Sequence, residues 1–490
     1  MWGPAVAVLL AFLSRRVLPS LLAGVVLSAL CAVPGDPLTA ASSLTRIVIE
    51  NVVDRDNLLL CAFSALVATL VVIMSRAGGT RALVRSIEPY ARNRRGGQFA
   101  ALAAGLLVFF DDYSSCLVTG TAMAPVADRT GVSRAKLAFI VDSTAAPIAS
   151  VALVSTWVGF QIGLLDDAAR VAGLPTRGIE LLVATLPWRL YPGVAVLMVA
   201  AIAWSGRDFG PMAAAEEAAV PDGSISSATP PARRAWLAGI PLTVLTLGSV
   251  VGLALSGFFR SDGGPQSSWL AAADTAAALS AASAVAVAAA LVLVRMQGAL
   301  DGDEIGNAIA SGVRSVAEPL GILLLAWTLG DLVEASAAPR WVAGVLDRVV
   351  QPTAIPVLAF AAGCLMSFST GSSWFTMGAL LPVAVPVAAS IGGSDPLIVV
   401  LTVAAVMDGA LFGDHASPIS DTTVLASVGS GCDVMAHTRT QLPYAVAMAV
   451  LSGMGFLLGP TTSLGLVWLA LILGVLAVTR LGRVPRRAQT

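Results

Sequence analysis

Successive apolar stretches of about twenty residues dominate this 490-residue chain and leave few ways to fold it. They fall near 17–34, 58–75, 136–160, 183–204, 236–258, 269–294, 317–334, 397–428, 441–459 and 464–479. A helix of about 20 residues crosses roughly 30 Å of hydrocarbon. In lipid every backbone amide must be satisfied internally, so the spans are helices. The chain is 57% hydrophobic and only 12% charged, with a mean hydropathy of +0.84, where a soluble domain carries roughly 25% charged residues. The expected fold class is therefore an all-α polytopic membrane protein. The net charge of −1 does not bear on nucleic acid, but no basic DNA-binding stripe appears, so no nucleic acid partner is expected. No G-x-x-x-x-G-K-[ST] loop occurs, which argues against an ATP-driven pump. Five cysteines lie far apart with no C-x-x-C, so neither a disulfide nor a metal site is implied. Apolar Met1–Leu13 precedes Arg15 and Arg16, the reverse of a secretory signal.

Two further apolar stretches, 98–127 and 353–391, are interrupted by D-D-Y-S-S and S-T-G-S-S. Polar midpoints of this kind suggest re-entrant hairpins, since irregular backbone at membrane depth must be buried in protein or line a cavity. Arginine placement sets the orientation. Segment 76–97 holds Arg76, Arg81, Arg85, Arg92, Arg94 and Arg95 against one acid, Glu88, and should be cytoplasmic. With both hairpins counted, Arg15/Arg16, the linker with Arg233/Arg234 and the tail with Arg480, Arg483, Arg486 and Arg487 fall on the same side. Both termini are thus expected in the cytoplasm, with the protein in the inner (cytoplasmic) membrane.

The two halves look related. F-D-D-Y-S-S at 110–115 and F-S-T-G-S-S at 368–373 are each followed by a proline, Pro125 and Pro382. A-A-P-I-A-S at 145–150 matches A-S-P-I-S at 416–420, and amphipathic stretches Arg81–Tyr90 and Trp341–Val350 precede the hairpins. This gives an inverted repeat, a plan used by secondary transporters. The first repeat spans 1–204, with hairpin 98–127 and broken helix 136–160. A flexible cytoplasmic linker covers 205–235. The second repeat spans 236–490, with hairpin 353–391 and broken helix 397–428.

The densest polar cluster lies in the last of these. Met407 to Ser427 reads M-D-G-A-L-F-G-D-H-A-S-P-I-S-D-T-T-V-L-A-S, with three aspartates and a histidine between apolar flanks. Ionisable groups at that depth are functional candidates by default, and Gly413 and Pro418 are expected to break the helix. A hard cation such as Na⁺ prefers several oxygen ligands. Asp142, Ser143 and Thr144 supply them in the first half; Asp414, Ser417, Ser420, Asp421 and Thr422 do so in the second. Hairpin tips Ser114-Ser115 and Thr370-Gly371-Ser372-Ser373 should face these breaks and close each site. Asp142, Thr144, Asp414 and Ser417 are the expected Na⁺ ligands. An aspartate that binds either Na⁺ or H⁺ gives exchange by competition; Asp111, Asp112 and Asp408 join Asp142, Asp414 and Asp421 as candidates. His415 is expected either to titrate or to orient a neighbouring aspartate. His437, Asp331 and Glu334 read as interfacial, and Arg129, Arg134 and Lys136 as a cytoplasmic anchor.

At F-F-D-D-Y (109–113), the run from Asp128 to Ala149, S-T-W (155–157), A-W-T-L-G (326–330), F-S-T-G-S-S-W (368–374), G-D-H-A-S-P-I-S-D-T-T (413–423) and H-T-R-T-Q-L-P-Y (437–444), the chain resembles the NhaC family of Na⁺/H⁺ antiporters. The resemblance covers most of 58–460. It implies a secondary active transporter, with Na⁺ as coupling ion, H⁺ as counter-ion and no further cofactor. It also implies an elevator-type carrier, and homodimers are common in that superfamily. Relatives that exchange malate and lactate or carry amino acids keep a second reading open, sodium-coupled transport of a small organic solute. A membrane hydrolase built on Ser417, His415 and Asp421 is disfavoured, because the three crowd within seven residues and lack a G-x-S-x-G elbow.

Overall fold

The structure is a computed structural model that describes residues 6, 9–10, 16–32, 36–221, 235–261, 269–334, 350–392 and 395–484. Arg15, Arg233, Arg234, Arg486, Arg487 and the amphipathic stretch expected at 341–350, Val350 excepted, lie outside them. Among the described residues the chain is helical, with one isolated bridge between Asp208 and Arg483. Among the described residues ten segments are long and apolar enough to cross a membrane.

The first part comprises α1 (Val17–Ala32), α2 (Pro37–Val53), α3 (Arg55–Arg76), α4 (Gly79–Arg85), α5 (Arg94–Leu107), α6 (Gly120–Thr130), α7 (Arg134–Asp142), α8 (Ala146–Val151), α9 (Val158–Val171), α10 (Gly178–Thr185), α11 (Leu190–Ser205) and α12 (Gly210–Ala218). The second comprises α13 (Trp236–Arg260), α14 (Thr275–Met296), α15 (Gly302–Ser315), α16 (Ala317–Glu334), α17 (Ile355–Thr370), α18 (Ser373–Ile391), α19 (Pro396–Ala416), α20 (Asp421–Ser430), α21 (Val434–Leu458) and α22 (Leu464–Leu481).

Two bodies emerge from the packing. In one, α3, α13, α14 and α15 pack chiefly on one another. In the other, α17, α18 and α21 surround α19, the most buried of the apolar helices. The α17–α19 contact is the most extensive in the molecule. Small residues make it close: a methyl at Gly363 would lie 3.1 Å from the Gly409 Cα, the approach that membrane helices use in place of a hydrophobic driving force.

Both interrupted stretches are helix–break–helix. α5 and α6 pack together across 108–119, and α17 and α18 meet across Gly371–Ser372. Gly371 takes φ 69°, the left-handed region that favours glycine, and starts the turn. The expected span 136–160 proves to be three pieces: α7, α8 and the start of α9, joined by non-helical 143–145 and 152–157. Pro147 lies in the first turn of α8, where it needs no partner for its missing N–H.

The segment expected to be a flexible linker begins as packed structure. α12 docks on α7 and α21, and Glu216 is fully buried, paired with Arg94 and accepting from the Ser133 amide at 2.7 Å. Asp208 pairs with Lys136 and accepts from the Tyr444 hydroxyl at 2.9 Å. Lys136 is therefore a buried ion-pair partner, not a surface anchor. A buried charge needs its counter-charge close by, and only the fold could supply one 72 residues away.

Candidate functional site between two helix ends

α7 and α19 end against each other. Each carries an aspartate in its last turns, Asp142 and Asp414, and each is followed by a short non-helical stretch, 143–145 and 417–420. The second stretch follows from Pro418, which disfavours the helical conformation for the residue before it; Ser417 is accordingly extended, φ −90° and ψ 126°. Gly413 does not break the helix as expected. α19 runs through it to Ala416, and its role is close approach, because a methyl there would run into the Ser367 carbonyl. The Ser367 hydroxyl donates to the Gly409 carbonyl at 2.9 Å and accepts from the Gly413 amide at 3.0 Å. Those two groups would close on each other in a regular helix, so α17 inserts a hydroxyl into α19 one residue before Asp414.

Asp142 is fully buried. Its Oδ2 accepts from Gln441 Nε2 at 2.6 Å and lies 3.3 Å from His437 Nε2. Its own carbonyl lies 3.3 Å from His415 Nε2, while His415 Nδ1 is 2.9 Å from the Tyr191 hydroxyl. A carbonyl only accepts, so Nε2 carries the proton, and Nδ1 can accept from Tyr191. A neutral imidazole satisfies both contacts. Gln441 also donates to the His415 carbonyl at 2.9 Å, stitching the two helix ends together.

Asp414 accepts from the Ser420 hydroxyl at 3.1 Å through Oδ1, and the Ser373 hydroxyl lies beside it. Its carbonyl accepts from Thr422 at 3.3 Å and Thr423 at 2.6 Å. Asp112 and Asp142 are its electrostatic neighbours. Several buried oxygens here have no hydrogen-bond partner: Asp112 Oδ2, Asp142 Oδ1, Asp414 Oδ2, Gln441 Oε1, and the hydroxyls of Ser115, Ser143 and Ser417. Buried polar atoms are normally paired. A set of unpartnered oxygens beside buried carboxylates has the chemistry of a hard-cation site. Among the described residues no three His, Cys, Asp or Glu side chains form a metal-ligand group, so hydroxyl, amide and carbonyl oxygens would have to complete any coordination.

Other expected residues sit differently. Thr144 donates back to the Ile140 carbonyl at 2.8 Å and packs on Gly105, which turns its hydroxyl to the helix it follows. Asp111 caps Ser114 at 2.7 Å and accepts from Thr156 at 3.1 Å. Asp421 is exposed and accepts from Tyr113 at 3.1 Å. Thr370 back-bonds to the Met366 carbonyl at 2.8 Å, and Ser372 caps the Phe375 amide at 3.2 Å. Asp408 is held by Arg189 Nε at 2.6 Å and the Tyr191 amide at 2.8 Å, with Arg189 further bound to Ser150. Arg189 thus supplies the counter-charge of the buried Asp408 carboxylate.

The turn between α17 and α18 meets the non-helical stretch after α19: a methyl on Gly371 would lie 2.8 Å from the Ile419 side chain. The interruption between α5 and α6 reaches α20, through Cys116 Sγ to the Thr422 carbonyl at 3.7 Å and Tyr113 to Asp421. His437, read as interfacial, is fully buried at Asp142. Asp331 contacts Asn51 and Arg170, both at 2.6 Å or less, and lines a polar cavity of about 640 Å³; the Glu334 side chain lies outside the described residues. Sequence reasoning missed Gln441, Tyr191 and Arg189. His437, Gln441 and Tyr444 follow one another at i, i+4 and i+7, one helical face, and Arg189 is an intramembrane arginine; both signals were present.

The chain matches the Na⁺/H⁺ antiporter family over residues 148–459. It belongs to that family. Members are membrane antiporters and not enzymes, and the chain is a multi-pass membrane protein. It is 29% identical over 475 residues to an uncharacterized protein of Haemophilus influenzae, spanning 95% of this chain and 91% of that one. Over 162 residues, 32% of this chain and 34% of the other, it is 30% identical to the malate-2H(+)/Na(+)-lactate antiporter of Bacillus subtilis. Over 150 residues, 31% of this chain and 29% of the other, it is 29% identical to the arginine/ornithine antiporter ArcD of Halobacterium salinarum. The fold is similar to that of the Alcanivorax borkumensis YdaH transporter, with a TM-score of 0.53 at 16% identity, covering 84% of this antiporter-family chain and 91% of that one. It is also similar to Neisseria gonorrhoeae MtrF, with a TM-score of 0.52 at 14% identity over 91% and 86% of the two chains.

Proposed function

We propose that this family member exchanges Na⁺ for H⁺ across the cytoplasmic membrane at the junction of α7 and α19. The observation that carries the reading is the pair of buried carboxylates, Asp142 and Asp414, each with one oxygen unbonded, at facing helix ends. Two ionised carboxylates cannot stay buried together without a counter-charge. Either a Na⁺ or a proton supplies it, so the two ions compete. In this scheme Asp142, Asp414, Ser417, Ser143 and Gln441 hold Na⁺. His415, neutral between Tyr191 and the Asp142 carbonyl, orients the two ends. Lowering the pH raises the Na⁺ concentration needed for half-maximal transport, because the protonated site does not bind Na⁺.

The same reading makes 98–127 and 353–391 re-entrant hairpins in a mobile body that slides, elevator-fashion, against the body of α3, α13, α14 and α15. Long-range polar pairs support the sidedness this needs. Arg94–Glu216, Arg76–Ser311 at 2.7 Å and Arg207–Arg480 carbonyl at 3.3 Å collect at the arginine-rich end. Arg55–Asp274 at 3.0 Å and Arg170–Asp331 at 2.5 Å collect at the other. On the positive-inside rule the first end is cytoplasmic.

A second reading, sodium-coupled exchange of a small organic solute, is favoured by the unpartnered hydroxyls of Ser115, Ser143 and Ser417 and by the substrates in the names of the Bacillus and Halobacterium relatives. Proteoliposomes decide. ²²Na⁺ uptake driven by an outward proton gradient, with no solute present, is expected. Uptake that requires a carboxylate or amino acid selects the second reading, and uptake of neither ion nor solute rejects both.

A further inference from the structure

Away from the carboxylates, a groove of about 720 Å³ opens between α11 and α22. Its walls are apolar, including Leu197, Ala201, Ile472 and Leu476, and its mouth holds Arg207 and Arg480. We infer that this groove binds one anionic phospholipid, with an acyl chain between the helices and the phosphate on the two arginines.

Three observations support that occupant. The charge is arranged for it: both arginines are exposed and line the groove, and Arg207 reaches over to the backbone carbonyl of Arg480 at 3.3 Å, so the two cationic residues share one end of it. A phosphate there offers each guanidinium paired oxygens to which its planar fork can donate. The depth is also right. Arg480 is in the last turn of the 18-residue α22, and Arg207 follows the end of α11 by two residues, so both sit where hydrocarbon gives way to headgroups. Finally, Trp204 at the groove's rim is 66% exposed, with the Arg95 guanidinium 4.7 Å over its ring. An exposed tryptophan beside cations is the signature of the membrane interface. Asp208, the next residue after Arg207, pairs with Lys136, and Glu217 lies 3.9 Å from Arg483. A zwitterionic lipid would fit the apolar walls equally well but would bring its own cation towards the arginines; basic pockets between helices select anionic headgroups.

The inference is tested by native mass spectrometry of the full-length protein in non-ionic detergent, with equimolar phosphatidylglycerol and phosphatidylcholine of matched chains. Retention of phosphatidylglycerol over phosphatidylcholine is expected. The Arg207→Gln/Arg480→Gln variant should lose that preference by roughly 25-fold, from about fivefold per arginine. Ala201→Phe, which fills the groove and keeps both charges, should lower retention of both lipids. Arg295→Gln, outside the groove, should change nothing. Equal retention of the two lipids by the wild type, an unchanged preference in the double variant, or an equal loss in Arg295→Gln each overturns the assignment.

Discussion

At the scale of single residues, hydrogen bonding sets apart Asp142 and Asp414, the two aspartates that their place in the breaks already puts first by sequence, from Asp111 and Asp408. Asp142 and Asp414 each keep one oxygen unbonded in a buried setting, whereas Asp111 caps a turn and Asp408 is clamped by Arg189. Asp142→Asn and Asp414→Asn should each abolish proton-driven ²²Na⁺ uptake while expression and melting temperature stay near wild type. Robust uptake in either well-folded variant would remove that carboxylate from the site. Thr144→Val should be milder than Ser417→Ala in its effect on the Na⁺ concentration for half-maximal uptake, since Thr144 is committed to the Ile140 carbonyl and Ser417 is not. The Arg189–Asp408 pair calls for a different experiment. Removing one partner leaves an uncompensated buried charge and should cost about 3–5 kcal/mol. Arg189→Met or Asp408→Leu alone should therefore lower the melting temperature sharply. The double variant should recover most of it, and additive losses would show that the two residues are not coupled.

At the scale of elements, α17 and α19 depend on each other. Ser367 occupies the hydrogen-bond gap between Gly409 and Gly413, and the helices approach too closely there for any side chain. Gly413→Ala should force backbone apart next to Asp414, costing on the order of 1–3 kcal/mol and weakening transport. Gly306 in α15 is the matched control: it is exposed and nothing lies within 4 Å of an added methyl. Gly306→Ala should be neutral or stabilise by about 0.5–1 kcal/mol through helix propensity. Thermal unfolding of the two variants in detergent checks this, and similar melting temperatures would mean the α17–α19 approach is not tight.

At the scale of the whole molecule, the two polar ends make a topology test direct. In a background without native cysteines, cysteines at Arg92 and Gln297 should label only from the cytoplasm and one at Thr176 only from outside, all three positions being exposed. Opposite labelling of Arg92 and Gln297 would mean that one interrupted stretch crosses the membrane fully, since a hairpin returns the chain to the side it left.

The apolar spans, the Asp- and Ser-rich interruptions and the arginine bias are local or periodic properties, and the sequence alone determined from them a helical membrane protein with polar interruptions within 136–160 and 397–428; where each helix stops, at Asp142 and Ala416, came from the structure. The partners of each buried charge were not legible, because a pair such as Lys136–Asp208 or Arg189–Asp408 is defined by proximity across 72 or 219 residues, and no period in the chain encodes it. For the same reason tertiary structure alone decided that Gly413 is a packing residue, that His437 and Gln441 reach Asp142, and that Tyr113 and Cys116 meet α20. Those outcomes depend on which surfaces come within a hydrogen bond of one another once the helices pack.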